Sequence, residues 1–233
     1  DWVINGSKTY ITNGVYGDLY FVAARTRETG RKHQQLSLFL VEDGSPGLSV
    51  SKKLSKTGMW ASDTAELVFD GVRVSGTNLL GQEGEGFYHL VAGLQRERLL
   101  SAVLCISAAD QTLTDTVEFL GQRQAFGKSL SKFQALRHRI ADLLTEVEAA
   151  RQLTYHAVRK FVAGQDCTTE VSMAKLFASE MANRVSYEAV QMHGGLGYMR
   201  ELPVERFARD YRLWTIAAGS SEMMREIIAK SAI

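Results

Sequence analysis

The spacing of apolar residues changes once along this 233-residue chain, and that change restricts the folds open to it. Over roughly the first 80 residues, apolar and polar positions alternate between turn signals, which predicts β structure. From about Phe87 onward the apolar residues recur at helical spacing. The two patterns meet at 81–86, a segment with three glycines and two glutamates. We therefore predict an α+β protein: a partial β-barrel or sandwich over 1–82, then an antiparallel four-helix-bundle-like domain over 83–233.

Turn residues delimit the predicted strands and glycines punctuate the predicted helices. The strands are expected at 2–4, 8–11, 18–25, 35–41, 48–54 and 65–69. Asn5-Gly6 suits the tight turn of a hairpin between the first two, and Asp70-Gly71 is also turn chemistry. The helices are expected at about 87–120, 136–161, 171–185 and 221–229.

Composition excludes several classes of function. The formal net charge is +1 with 23% charged residues, which argues against a nucleic-acid-binding domain but leaves room for one anion pocket. The two cysteines, Cys105 and Cys167, are far apart, so neither a metal site nor a disulfide is expected. No apolar run approaches the ~20 residues of a membrane span. The chain opens inside a predicted strand without an initiator Met, and we expect a piece of a longer protein.

Glu97 is the most informative residue of the first predicted helix. At 100° per residue it shares a face with apolar and small residues, namely Leu90, Gly93, Leu94, Leu100, Leu104 and Ala108. We therefore expect it to be buried or half-buried. Burial raises a carboxyl pKa toward neutrality, as a general base for carbon acids requires. The alternative is a Glu–Arg pair that bridges two helices, and periodicity alone favours this structural role.

Four segments, in this order, resemble the acyl-CoA dehydrogenase family over the whole chain. They are Tyr10-Ile11-Thr12-Asn13-Gly14, where the family has Trp-Ile-Thr-Asn-Gly; Arg123-Gln124-Ala125-Phe126-Gly127 followed by Gln134; Gln191-Met192-His193-Gly194-Gly195-Leu196-Gly197-Tyr198; and Arg209-Asp210 followed by Ala218-Gly219-Ser220-Ser221-Glu222. Each alone is weak evidence, but their common order across a β part and a helical part is specific.

The resemblance implies FAD as cofactor and fatty acyl-CoA thioesters as substrates. The family reaction is α,β-dehydrogenation to a trans-2-enoyl-CoA, in which a carboxylate removes the α proton and the β hydrogen leaves as hydride to flavin N5. An electron-transfer flavoprotein then receives the electrons. The family also implies a homotetramer, a dimer of dimers, in the mitochondrial matrix or a bacterial cytoplasm.

One departure from the family pattern bears on the base. Many members carry the catalytic glutamate in a C-terminal Tyr-Glu-Gly motif, where this chain has Ala218. Isovaleryl-CoA and long-chain members instead place it in a Glu-Arg-Leu motif on the helix, and this chain has Glu97-Arg98-Leu99 there. The resemblance therefore selects Glu97 as the base. The backbone N–H of Ala218 remains available to the thioester carbonyl, and Gly219 is assigned to the same substrate site.

The remaining site residues follow from the same resemblance, and each has a structural alternative. Tyr10, Ile11 and Thr12 are assigned to the isoalloxazine ring, although they could form an ordinary strand. Arg123 is assigned to the FAD pyrophosphate of a neighbouring subunit, with Phe126 and Gln134 beside the adenine or ribose; alone, Arg123 would be a solvated loop arginine.

The other assigned residues lie near predicted helix ends or beside Glu97. Gln191, Gly194 and Gly195 are assigned to the dinucleotide, and the glycines also suit a helix C-cap. Ser220 and Glu222 are FAD contacts that also suit a helix start. The substrate pocket is assigned to the neighbours of Glu97, namely Gln95, Arg96 and Arg98, and His193 is treated as structural.

Other functions share this pattern. An acyl-CoA oxidase would use the same base and flavin with oxygen as acceptor, and a flavin monooxygenase would lack the base. A non-catalytic helical interaction module of the same fold is a third alternative. The family's N-terminal helical domain and its Thr-Glu-Pro-Gly-x-Gly-Ser-Asp loop lie outside this sequence, so we expect the piece alone to bind FAD weakly. The sequence does not fix the length of the acyl chain. The Arg-Glu-Arg-Leu-Leu run at 96–100 and the His-Gly-Gly-Leu-Gly-Tyr-Met run at 193–199 weakly favour the long-chain type of the family.

Overall fold

The computed structural model describes residues 1–233 and forms two compact units, Asp1–Gly93 and Leu94–Ile233. The first unit contains six strands and the start of the first long helix, and the second contains the helical remainder. The mixture of small sheets and a helical C-terminal part confirms the predicted α+β class. None of the helices combines the length and apolar composition that crossing a membrane requires.

The strands of the first unit form two antiparallel sheets. One sheet has the order β1-β5-β4 and the other β2-β3-β6. Their bounds are β1 Trp2–Thr12, β2 Leu19–Arg25, β3 Leu36–Glu42, β4 Leu48–Lys53, β5 Thr64–Val74 and β6 Leu79–Leu80. Alternate residues of these strands build one apolar core, which includes Val22, Phe39, Val41, Leu67 and Val72.

The predicted hairpin at Asn5-Gly6 is wrong, because β1 runs through it as one strand. Asp70-Gly71, predicted as a turn, likewise lies inside β5. The two dipeptides face each other where the β1–β5 register shifts, between Ile4 and Gly6. The Asn5 side chain accepts the Gly71 N–H at 2.8 Å. Both glycines have positive φ, so the residues that suggested turns form a bulge instead.

Five helices form the helical part. They are α1 Gly86–Gln122, α2 Gln134–Val162, α3 Thr168–His193, α4 Pro203–Tyr211 and α5 Ser221–Ala232, and a short hairpin of β7 Gln124–Ala125 and β8 Lys128–Ser129 separates α1 from α2. The sequence did not predict α4, because its proline was taken as a breaker. Pro203 stands in the first turn, where its missing N–H has no helical partner to lose.

The core of the second unit is drawn from one face each of α1, α2 and α3. Fully buried members include Cys105, Leu143, Val171 and Met181. Small residues such as Ala150 and Ala178 lie among them and allow close approach of the helices. The face of α1 that enters this core decides where the candidate site residues point.

Candidate active site

Glu97 is exposed, so the prediction that it is buried or half-buried is wrong for this chain. The buried stripe of α1 contains Arg98, Leu99, Ala102 and Cys105. Glu97, Leu100 and Leu104 lie on another side of the helix and are exposed, whereas Ala108 of the same predicted face is buried. The exposed side is nevertheless apolar around the carboxylate: the exposed fractions of Leu100 and Leu104 are 62% and 47%. Because α1 has two adjacent apolar faces, periodicity could not identify the one that enters the core.

Arg98 turns into the protein and reaches a loop far along the chain. Its residue exposure is 8%, and its Nε donates to the carbonyl oxygen of Ala218 at 3.1 Å. Desolvation by burial lowers the pKa of the guanidinium, and the adjacent Glu97 acts in the opposite sense. The guanidinium remains charged, since its ordinary pKa is far above neutrality. A buried cation therefore joins α1, one residue after the candidate base, to the Ala218 turn.

The Ala218–Gly219 turn has an uncommon backbone conformation. Ala218 has φ +54° and Gly219 has φ +103°. A left-handed φ costs a residue with a Cβ about 1 kcal/mol. The φ of Gly219 favours glycine, and a Cβ there would also lie 2.8 Å from Cε of Met224, which would have to move. The turn is thus strained at Ala218 and closely packed at Gly219.

Lys175 holds the same turn, and the sequence reasoning missed it. This lysine of α3 is fully buried, and its Nζ donates to the carbonyl oxygen of Gly219 at 2.6 Å. Burial lowers the pKa of its ammonium. A signal was present in the sequence: Lys175 follows Val171 by four residues and precedes Ala178 by three, so it occupies the apolar stripe of its helix.

The other predicted substrate residues differ in environment. The Gln95 side chain donates to Oγ1 of Thr168 at 2.9 Å, which joins α1 to the start of α3. Its Oε1 is buried without a hydrogen-bond partner. Arg96 is exposed. The structure therefore brings Gln95, Arg98 and the 218–219 turn into one region of the helical unit.

Ser220 caps helix α5, as predicted. Its hydroxyl accepts the N–H of Met223 at 3.4 Å. Glu222 lies in the first turn, where its own backbone N–H and then the Ser220 hydroxyl lower its pKa. A polar cavity of about 300 Å³ opens beside this helix start, lined by Glu180, Arg212, Thr215, Ile216, Ser220, Ser221 and Glu222. Side chains of this turn already accept the N–H groups of Glu222 and Met223, so the cavity offers an anion the helix dipole and Arg212, against the carboxylates of Glu180 and Glu222.

A second group of predicted residues lies toward the other end of α1. Arg123 and Gln134 are exposed. Phe126 is 94% exposed with φ +51°, and its ring meets the edge of Phe133 at a centroid distance of 6.2 Å. These residues occupy the connection between α1 and α2. The exposure of Arg123 is also what the alternative, a solvated loop arginine, would give.

The end of α3 joins this second group. Gly194 caps α3 with φ +61°, which confirms the predicted C-cap. No atom lies within 4 Å of a Cβ built at Gly194 or Gly195, and Gln191 is exposed nearby. His193 is buried, stacks on Phe119 at 4.3 Å and contacts the carbonyl of Ala189 through Nδ1. This stacking brings the ends of α1 and α3 together.

The two groups are far apart within one chain. Arg123 follows Glu97 by 26 residues, almost all of them in α1. At about 1.5 Å per residue, the two lie about 39 Å apart along the helix axis. Tyr10, Ile11 and Thr12 belong to the β unit, where Tyr10 is 79% exposed with φ +62°. The helical unit thus carries a base-side group near Glu97 and Ala218, and a distal group near Arg123 and Gly194.

Comparison with known proteins covers the whole chain. The family model "Acyl-CoA dehydrogenase, middle domain" matches residues 1–72, and "Acyl-CoA dehydrogenase, C-terminal domain" matches 84–233. The mitochondrial long-chain specific acyl-CoA dehydrogenase of Rattus norvegicus is 43% identical over 234 residues, covering 100% of this chain and 54% of the relative. The chain therefore spans about half the length of that relative.

Solved structures agree with the sequence matches. The crystal structure of acyl-CoA dehydrogenase from Geobacillus kaustophilus has a TM-score of 0.96 and 44% identity, over 99% of this chain and 61% of its own. The structure of PigA with FAD and proline has a TM-score of 0.95 and 29% identity, over 99% and 60%. Both family models, in chain order, and relatives above 40% identity lead to one conclusion. The chain belongs to the acyl-CoA dehydrogenase family.

Proposed function

We propose that the protein containing this chain is an FAD-dependent acyl-CoA dehydrogenase, which converts an acyl-CoA thioester to the trans-2-enoyl-CoA with Glu97 as base. The observation that carries the proposal is the position of Glu97. Its carboxylate stands on an exposed apolar face of α1, and the next residue, Arg98, is hydrogen-bonded to Ala218. Relatives with this fold are named acyl-CoA dehydrogenases, which supports the same substrate class.

The chemistry needs a base and a carbonyl-binding donor together. The α proton of a thioester is weakly acidic, and it is removed more readily when donors stabilise the charge that develops on the carbonyl oxygen. Glu97 supplies the carboxylate that accepts this proton. Ala218 supplies a backbone N–H in a turn that two buried cations hold. An acyl chain would lie against the apolar face formed by Leu100 and Leu104.

The residues present fit FAD. On the base side, Ser220 and Glu222 mark the start of α5, whose dipole favours a phosphate oxygen. On the distal side, Arg123 offers a fork of donors for phosphate, Phe126 offers an open aromatic face and Gly194 an open backbone. Gln134, Gln191 and Gly195 are the further distal contacts. When bound, FAD would accept the β hydrogen and the electron pair.

The separation of the two groups supports a homo-oligomer. About 39 Å of helix lies between the two groups of one chain. They therefore cannot both contact the same part of a bound ligand. We propose that each FAD is bound by the base-side group of one subunit and the distal group of a second, in a tetramer built as a dimer of dimers.

The electron acceptor and the compartment follow from the family. We propose an electron-transfer flavoprotein as acceptor, and either a mitochondrial matrix or a bacterial cytoplasm as location. In the oxidase alternative the same base and flavin would serve and oxygen would take the electrons. Reoxidation kinetics separate these two, because an oxidase recovers its flavin absorbance rapidly in air.

The proposal is tested on the full-length protein purified with FAD. Acyl-CoAs of several chain lengths are added anaerobically while the flavin spectrum is recorded, for wild type, Glu97→Gln and Glu118→Gln. Glu118 is an exposed glutamate of the same helix and serves as matched control. We expect bleaching in wild type and control, and a rate at least about 100-fold lower in Glu97→Gln. Bleaching that survives in Glu97→Gln would remove Glu97 as base, and a flavin that no acyl-CoA bleaches would contradict the activity.

A further inference from the structure

We propose that Lys175 is a positioning residue for the reaction: with Arg98 it fixes the Ala218–Gly219 turn, so that the Ala218 N–H stays directed at the substrate carbonyl. This inference rests on the proposed function. Lys175 itself contacts neither the reacting atoms nor the base. It acts through the turn.

The environment of Lys175 is unusual for a lysine. Its side chain is fully buried, and it forms no ion pair with a carboxylate. The charged or titratable groups that influence it are Cys105, Arg98, Glu222 and Glu180. Burial of a cation without an acidic partner is unfavourable, so a lysine here needs a compensating contact. That contact is the carbonyl oxygen of Gly219, at 2.6 Å.

The two cations act on successive carbonyls of one turn. Arg98 binds the oxygen of Ala218, and Lys175 binds the oxygen of Gly219. Upstream, the N–H of Ala217 donates to the oxygen of Leu213 at 2.9 Å. Because the chain is held on both sides of Ala218, this alanine keeps a φ of +54° that it would otherwise leave. Charge-assisted hydrogen bonds are the strong class, which suits holding a strained residue.

The direction of the Ala218 N–H depends on that φ. Rotation of Ala218 to an ordinary negative φ would turn its N–H relative to the carbonyl groups of Ala218 and Gly219. A donor displaced from the developing negative charge loses much of its effect on the rate. Loss of the Lys175 contact should therefore slow proton removal more than it weakens substrate binding.

The test uses the full-length FAD-loaded enzyme and compares wild type, Lys175→Met and Lys160→Met. Lys160 is a partly buried lysine of the same unit that pairs with Glu170, so its change controls for loss of a buried ammonium. We expect kcat of Lys175→Met to fall about 10- to 100-fold while KM changes by less than about threefold. FAD content should equal that of wild type.

A spectroscopic readout isolates the α-proton step. An acyl-CoA with sulfur in place of the β carbon can lose its α proton but cannot be oxidised, and its anion gives a charge-transfer band with the flavin. We expect Lys175→Met to weaken this band and Lys160→Met to leave it unchanged. The variant is compared in its folded, FAD-loaded form. Lower stability alone would therefore not weaken the charge-transfer band.

A second change distinguishes positioning from packing. Glycine adopts positive φ without strain, so Lys175→Met/Ala218→Gly should recover at least about threefold of the lost kcat. Wild-type kcat and band in Lys175→Met, or no recovery in the double variant, would overturn the inference while leaving the proposed function intact. If Lys175→Met does not fold, Lys175→Gln, whose amide is one bond too short to reach Gly219, takes its place with the same expected outcomes. An inactive wild type would instead overturn the proposed function and, with it, this inference.

Discussion

Arg98 Nε lies 3.1 Å from the carbonyl oxygen of Ala218, 120 residues further along the chain. The bond connects the residue beside the proposed base to a backbone carbonyl of the Ala218–Gly219 turn. In the proposed mechanism the two positions have different roles, because Glu97 would supply the carboxylate and Ala218 would supply only backbone groups. Arg98 therefore belongs to the geometry of both.

Replacement of Arg98 tests this connection. In Arg98→Met the Ala218 oxygen loses its donor, and we expect kcat to fall about 10-fold or more with FAD still bound. Arg98→Lys should not restore it, because an ammonium cannot reproduce the guanidinium geometry at the same distance. Stopped-flow flavin reduction gives the rates, with the exposed Arg159→Met as control. Normal reduction rates in Arg98→Met would show that the bond is structural only.

The two roles assigned to Ser220 are separable. Ser220→Ala removes the cap of α5 and should cost about 1 kcal/mol of unfolding free energy. Ser220→Asp keeps a capping oxygen and should preserve that stability, but its negative charge should weaken FAD binding. Urea unfolding and FAD titration of the apoenzyme measure the two effects. Equal FAD affinity in Ser220→Asp and wild type would leave Ser220 with the capping role alone.

Cys105 is expected to make the folded state less stable at alkaline pH. Burial raises the pKa of its thiol from 9.0 to about 12. Between these values the unfolded chain loses the proton and the folded chain keeps it, so folded protein binds more protons and stability falls as pH rises above 9. The slope approaches about 1.4 kcal/mol per pH unit. Below pH 9 this contribution is constant.

Thermal unfolding of wild type and Cys105→Ala at pH 8, 9 and 10 checks the prediction. The alanine variant should be less stable at pH 8, from lost packing, yet lose less stability on going to pH 10. Lys175, whose pKa burial lowers, contributes in the opposite sense in both proteins. Parallel pH curves for the two proteins would contradict the assignment to Cys105.

Asp63 stabilises the turn that follows the Tyr10–Thr12 segment in the β unit. It is 7% exposed, and its Oδ2 accepts the N–H of Val15 at 2.6 Å. Asp63→Ala should cost about 1.5–3 kcal/mol, because a hydrogen bond to a charged group is lost inside the protein. Asp63→Asn keeps one carbonyl acceptor and should cost clearly less. Urea midpoints measure both. Equal losses in the two variants would show that a neutral carbonyl cannot replace the carboxylate, and no loss in either would show that the bond does not stabilise the turn.

The sequence predicted the elements better than their faces. Periodicity located α1 and α2 to within about two residues at each end, whereas α3 continues eight residues beyond its predicted end. It misplaced the buried face of α1, where Leu99 and Leu100 belong to two adjacent apolar stripes and only the first enters the core. Asn5-Gly6 predicted a turn, since a local rule does not register that Asp70-Gly71 lies opposite.

The candidate site followed from motifs and not from physical pattern alone. Glu97 was selected twice, by its apolar neighbours and by the Glu-Arg-Leu resemblance, although its burial was predicted wrongly. Lys175 was missed because no motif includes it. A single lysine among the apolar positions of a helix is easily treated as an exception to the apolar pattern. Its partner, the Gly219 carbonyl, lies 44 residues away and has no side-chain signal in the sequence.

The single uninterrupted span of α1 between Arg98 and Gln122 restricts how the sequence of this protein can change in length. One inserted residue would rotate everything after it by about 100° and advance it by about 1.5 Å. Glu97 and the Arg123 connection would then face different neighbours. Loops such as 26–35 can absorb an insertion locally, but within α1 an insertion must add whole turns; seven residues nearly restore the facing, and they add about 10 Å between the two ends.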